Sequence, residues 1–254
     1  MGGTAQGVWS MHEQEKHINF LELKACQLGL QSLCKTLSNK HIRILTDNTT
    51  ACAYLSKFEG RKLDLDILAR EIWAWCIERN IHLSAAHIPG ASNIEADNLS
   101  RSYNDDTEWS LDSEVFEHLE SVFGNMTIDL FASRLNAKKA KYVSRYPEAE
   151  AIAIDALSIA WKHQLMYIFP PFSLIPRVLQ KVIQDQTEAV LVAPMWYTQT
   201  WWPCLNNMTI GDCLVLPSPQ KILRLEHKPE ARHPLKKLKL AVFRISGTCC
   251  VNRG

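Results

Sequence analysis

Three acids stand where a carboxylate asks for a reason: Glu22 in "INFLELKA", Asp47 in "ILTDNTTACAYL" and Asp97 in "HIPGASNIEADNLSR". Carboxylates converging from separate elements are the ligand type that hard divalent cations take. Glu22 lies four residues after Ile18 and four before Cys26, in a helical stripe of Ile18, Ala25, Cys26 and Leu33. A carboxylate on a core face is costly unless it is paired or metal-bound. Asp47 ends an apolar strand, the end at which α/β sheets gather ligands. Each position also has an ordinary use. Glu22 could reach water at a rim, Asp47 or Asn48 could cap the following helix, and Asp97 could pair with Arg101 four residues on. Ser92 and Glu95 have capping-box spacing and predict a helix from Asn93, which leaves Asp97 unexplained. His87, ten residues before Asp97, has an ordinary reading as a strand histidine bonded to backbone.

A second set follows in "TIDLFASRLNAKKAKYVS", "AIDALSIAW" and "YIFPPFSLIPRVLQKV". Asp129 and Asp155 sit at strand-like ends, where each can contact a ligand or simply cap or terminate a strand. Pro170 and Pro171 lie between Phe169 and Phe172, an order that can form a rigid, apolar turn in a packed core. No glycine-rich loop precedes Asp129.

The elements that must position these residues alternate. A strand is predicted at "TAQGVWSM", a helix at "INFLELKACQLGLQSLCKTL", a strand at "IRILT", helices at "NTTACAYL" and "LDLDILAREIWAWCIER", and a strand at "IHLSA". A polar run over 102–110 reads as a linker. Beyond it come a helix, "LDSEVFEHLESVF", strands at "TIDLFA", "LMYIF" and "AVLVAP", and a helix at "SLIPRVLQKVIQ". Such alternation predicts α/β architecture with a mostly parallel sheet. A length of 254 residues fits two domains.

Hydrophobic residues make up 46% and charged residues 22%, a globular composition with a formal charge of +1. The charge is uneven. Residues 1–110 carry 11 Lys/Arg against 14 Asp/Glu, whereas residues 220–254 carry 9 against 2. The latter is either a phosphate-tracking segment or a solvated tail. The eight cysteines form no C-x-x-C pair, which suits a reducing compartment. With no signal peptide and no apolar run of membrane-spanning length, the expectation is an intracellular protein, in cytoplasm or nucleus, with no membrane partner.

The three acidic motifs, in register over residues 1–101, resemble the ribonuclease H domain of a retrotransposon polyprotein, most like DIRS-type and gypsy-like reverse transcriptase elements. The resemblance implies metal ligands at Glu22, Asp47 and Asp97, a mobile histidine at His87, and a two-ion site for Mg²⁺ or Mn²⁺. Such a pair activates water and stabilises the leaving oxygen. The implied substrate is an RNA–DNA hybrid, read by shape and 2′-OH, and the implied neighbour is an upstream polymerase domain. None of Met1 to Val8 is acidic, so the family's first strands and first catalytic Asp have no counterpart. The expected hydrolase is therefore incomplete, a weak or inactive endonuclease that is either a fragment of a longer reading frame or a decayed element copy, with "TAQGVWSM" and "IRILT" lacking a neighbour.

Over residues 111–220 the later blocks resemble the phage adenine-N-methyltransferase-like domain that follows ribonuclease H in such elements. This implies a Rossmann-like fold, S-adenosylmethionine as cofactor, and contacts to it from Asp129, Asp155, Pro170 and Pro171. The family's loop reads Asn/Asp-Pro-Pro-aromatic, and Phe169 offers no acceptor for a target amine, so catalysis is expected to be lost or altered. Residues 221–254 form a basic segment, and "HPLKKLKLAVFRISG" is similar to the stretch preceding the tyrosine recombinase that serves DNA integration. A methyltransferase and a non-catalytic nucleic-acid-binding remnant are the alternatives to the hydrolase.

Overall fold

The computed structural model describes residues 3–57, 62–101, 109–162 and 164–248. The chain divides into two compact units, 1–103 with 147–149, and 104–146 with 150–254.

In the first unit, residues 3–10 carry no strand, contrary to the expectation for "TAQGVWSM". Ser10 instead opens a capping box with Glu13, and the chain turns into α1 (Met11–Gln14). The order is then α2 (Ile18–Leu33), β1 (His41–Thr46), α3 (Thr49–Lys57), α4 (Leu63–Glu78), β2 (His82–His87) and α5 (Ile94–Arg101). "IRILT" does find a neighbour: β1 pairs in parallel with β2, with Thr46 opposite His87. Parallel strands need a long crossover, which α3 and α4 supply.

The core of this unit comprises Leu23 and Leu30 of α2, Leu55 of α3, Leu65 and Ile72 of α4, and Leu83 of β2. That corrects the expected stripe of α2. Ile18 is 57% exposed and Leu33 44%, while Leu23, Gln27 and Leu30 face inward. Buried Gln27 is satisfied, accepting from Lys24 at 2.6 Å and donating to Glu71 at 3.1 Å. A polar residue on the core face is thus tolerated through its partners. Helix α5 begins at Ile94, one residue later than predicted, after a 3₁₀ turn at Gly90–Ser92.

Of the predicted linker, residues 102–108 lie outside the described residues, and Ser110 belongs to a strand. The second unit runs β3 (Ser110–Leu111), α6 (Ser113–Phe123), β4 (Ile128–Asp129), β5 (Val143–Ser144), β6 (Ala153–Ile154), β7 (Met166–Ile168), α7 (Ile175–Asp185), β8 (Glu188–Pro194), α8 (Trp202–Met208), β9 (Leu214–Val215), α9 (Pro219–Ile222), β10 (Leu223–Arg224) and β11 (Leu240–Ser246). The principal sheet has the order β4-β7-β8-β11-β9. Its β4, β7 and β8 are parallel, and β11 and β9 run antiparallel to their neighbours, so the sheet is mixed rather than mostly parallel.

The sheet is covered on both faces. One face, with Ile168, Leu191, Ala193, Phe243 and Ile245, packs on α7 and α8 through Val178, Leu179, Leu205 and Met208. The other, with Tyr167, Val190, Val192 and Val242, packs on α6 through Phe116 and Leu119. A strand buried on both faces reads as a continuous apolar run, as "AVLVAP" does. The basic segment 221–254 is no solvated tail over its described part. It contributes β10 and the seven-residue β11, whose Leu240 to Phe243 are at most 1% exposed.

Candidate functional site

In the first unit the Asn48 side chain, not Asp47, caps α3, accepting from the Ala51 N–H at 2.9 Å. The Asn48 amide also donates to Asn19 of α2 at 3.0 Å, tying β1's end to that helix. Asp47 is left exposed, its Oδ2 3.4 Å from where a Cβ on Gly90 would stand. Half-buried Glu22 has its carboxyl pushed above the ordinary value, first by burial and then by the negative charge of Asp47. Two of the expected ligands therefore feel each other. Asp97 is engaged elsewhere, in a fork with Arg101 Nε at 2.9 and 3.0 Å, on the surface of α5. His87 is exposed at the end of β2. Among the described residues no three His, Cys, Asp or Glu side chains gather to hold a metal ion. Glu22 and Asp47 thus influence each other, while Asp97 is turned to Arg101.

In the second unit the carboxyl ends of β4, β7 and β8 open on one edge of the sheet. Because β11 is antiparallel to β8, with Leu240 opposite Pro194, its approach segment arrives at that same edge. Met195 N–H donates to the Lys239 carbonyl there at 2.9 Å.

Asp129 ends β4 and is 2% exposed. Its Oδ1 accepts from the Phe131 N–H at 3.2 Å and its Oδ2 from the Lys138 N–H at 3.1 Å. Of "TIDLFA", Ile128 and Asp129 form β4, and the two bonds pin the loop over 130–138 that follows. Burial raises the Asp129 carboxyl to about 6, against the lowering influence of the two N–H donors and the Lys138 charge. Opposite it on β7, Tyr167 packs edge-on against Phe116 at 4.9 Å. Its buried hydroxyl has no hydrogen-bond partner among the described residues and is pushed well above its usual value, first by burial and then by Asp129.

Asp155, with φ 54°, caps the 3₁₀ turn at Ala156–Ser158 by accepting from the Leu157 N–H at 3.1 Å. Pro170 is buried, and Pro171 precedes the 3₁₀ turn at Phe172–Leu174. Phe169 and Phe172 lie 6.5 Å apart, and Phe172 meets Trp196 edge-on at 5.3 Å. All three rings are half-buried. They make an aromatic wall just beyond β7 and β8. Trp196 was missed from the sequence, although an aromatic residue directly after an apolar strand was a usable signal. Beside it opens a cleft of about 470 Å³ lined by Trp196, Pro234, Leu235, Lys236, Lys237 and Leu238.

Residues 98–210 match the family model of DNA N-6-adenine-methyltransferase (Dam). That stretch contains Asp129, Asp155, the Phe169–Phe172 loop and Trp196. No curated protein matches the chain. The match supports the methyltransferase resemblance and lends none to the retroelement reading of residues 1–101.

S-adenosylmethionine, which such a family implies, fits the residues present poorly. Asp129 faces its own loop rather than a ligand, and Asp155 serves as a cap. The stretch 130–138 has no glycine to let the backbone approach a cofactor closely. Flat, half-buried rings remain, a surface on which a base can stack.

Proposed function

We propose that the second unit is an adenine-methyltransferase-type module that binds nucleic acid and holds a base against Phe169 and Phe172, at the Pro-Pro loop end of the aromatic wall, without transferring a methyl group. The single observation carrying this reading is the aromatic wall at the carboxyl edge of the sheet, inside the stretch that matches the Dam model. Base–aromatic stacking is worth about 1–3 kcal/mol per base. Methylation of an exocyclic amine also needs an acceptor at the head of the Pro-Pro loop, and Phe169 supplies none. The Rossmann-like assignment of the sheet belongs to the same proposal, supported by three parallel strands with helices on both faces.

The test combines two readouts on one sample. Adenine-containing DNA is titrated with the purified chain and followed by fluorescence anisotropy, then incubated with radiolabelled S-adenosylmethionine. Saturable binding without methyl incorporation is the expected result. Incorporation abolished by Pro171→Ala would instead make this a working methyltransferase.

A second reading concerns the first unit and rests on the mutual influence of Glu22 and Asp47. In it, this unit derives from a ribonuclease H-type hydrolase of RNA–DNA hybrids, with Mg²⁺ or Mn²⁺ as the implied ion. Hybrid cleavage by the wild-type chain that is lost in Asp47→Asn would support it.

A further inference from the structure

The cleft beside Trp196 lies at the same edge as the aromatic wall, yet most of its lining comes from residues 234–238, beyond the stretch that matches the Dam model. The segment is held in place by backbone. Met195 N–H donates to the Lys239 carbonyl at 2.9 Å, Leu238 N–H to the Leu235 carbonyl at 3.2 Å, and Leu235 N–H to His233 Nδ1 at 3.2 Å. Leu238 and Leu240 are buried, so the side chains between and before them, Lys239, Lys237 and Lys236, are turned out to solvent. Among the described residues none of these three lysines has a carboxylate partner. The acids of 213–248 are Glu226 and Glu230, and Glu226 lies 3.7 Å from Lys138.

An indole and two exposed lysines without a carboxylate partner, lining one open cleft, are the pairing that holds single strands: rings stack bases while cations follow the backbone. Continuity with Phe172 through the 5.3 Å ring contact extends this path toward the Pro-Pro loop. A cleft of about 470 Å³ falls within the roughly 300–1,000 Å³ range of small-ligand pockets, room for one nucleotide rather than a duplex.

We propose that the Trp196–Lys236–Lys237 cleft is a subsite for single-stranded nucleic acid flanking the held base, Trp196 stacking one base and the two lysines neutralising adjacent phosphates. This rests on the nucleic-acid reading of the same edge.

The experiment measures binding of a labelled single-stranded oligonucleotide to the full chain by anisotropy over a salt series. Wild type is compared with Lys236→Ala/Lys237→Ala and with Trp196→Ala. Lys40→Ala/Arg43→Ala, which removes two cations from the other unit, serves as control. Each phosphate neutralised on a single strand contributes about 0.7 to the slope of log affinity against log salt, so the double lysine variant should flatten it by about 1.4. Trp196→Ala should weaken binding about 5- to 150-fold and leave the slope alone, and Trp196→Phe should recover part of the loss. Wild-type binding whose slope is unmoved by the lysine changes overturns the subsite and spares the parent reading. Competition by duplex more than tenfold better than by single strand overturns the assigned ligand class. Absence of any wild-type binding at low salt removes the parent reading and the subsite together.

Discussion

Asp129→Asn isolates what a fully buried carboxylate does in this fold. Burial raises its folded-state value from 3.8 to about 6. The folded protein therefore binds this proton more tightly than the unfolded chain does. The group costs nothing below pH 3.8, its penalty accumulates as pH rises through the interval up to about 6, and it is fully present above that. A separation of roughly two units corresponds to about 3 kcal/mol at pH 8. Asparagine cannot ionise, so the variant lacks this penalty at every pH. It keeps one acceptor oxygen but turns an amide toward the second backbone N–H, the one from Phe131 or from Lys138. That mismatch costs about 1–3 kcal/mol, independent of pH. Urea unfolding followed by tryptophan fluorescence should find the variant clearly less stable than wild type at pH 4. The gap should shrink by about 2–3 kcal/mol, and could close, by pH 8. A stability difference that stays constant between these pH values would refute the reasoning, because it would place the carboxylate in contact with water or a cation.

Phe243→Ala should destabilise the second unit by about 3–5 kcal/mol in chemical denaturation, since Phe243 is 1% exposed and meets Trp202 edge-on at 5.9 Å. A loss under about 1 kcal/mol would suit a peripheral segment rather than a core strand. Gly247→Ala would bring its Cβ to 2.1 Å from the Val182 carbonyl oxygen, so strand and helix must move apart; a fall of at least about 1–3 kcal/mol is expected in the same assay. Asp97→Ala removes only a surface fork with Arg101, whose side chain is 76% exposed, and should change the first unit's stability by less than about 1 kcal/mol.

Helix α4 and strands β1 and β8 were legible because period and length agree: a long amphipathic run, and short apolar runs ending at Asp47 and after Pro194. The buried face of α2 was not. Apolar residues occur on two sides of that helix, and contact with α3 and α4 selects Leu23 and Leu30 over Ile18 and Leu33. Strand β11 was hidden by averaging. The charge of Lys236, Lys237 and Lys239 belongs to the loop before it, while "LAVFRIS" taken alone reads as a buried strand.

The sites divide in the same way. Asp129 could be picked out as a strand-end acid, but its role depends on the N–H of Lys138, nine residues on, which no local pattern encodes. Asp97 and Arg101 had the spacing of an ion pair and form one. Phe169 and Phe172 were visible in their motif. Trp196 joins them only because β7 and β8 are parallel neighbours, so that their carboxyl ends share an edge.

The most direct measurement compares the affinity of the chain for two single strands that differ at one position, an adenosine in one and an abasic site in the other. If the Phe169–Phe172 end of the wall holds a base, the intact strand binds about 5- to 150-fold more tightly, with the same salt dependence. Equal affinities would mean that the protein grips phosphates alone, and would contradict the base-holding function.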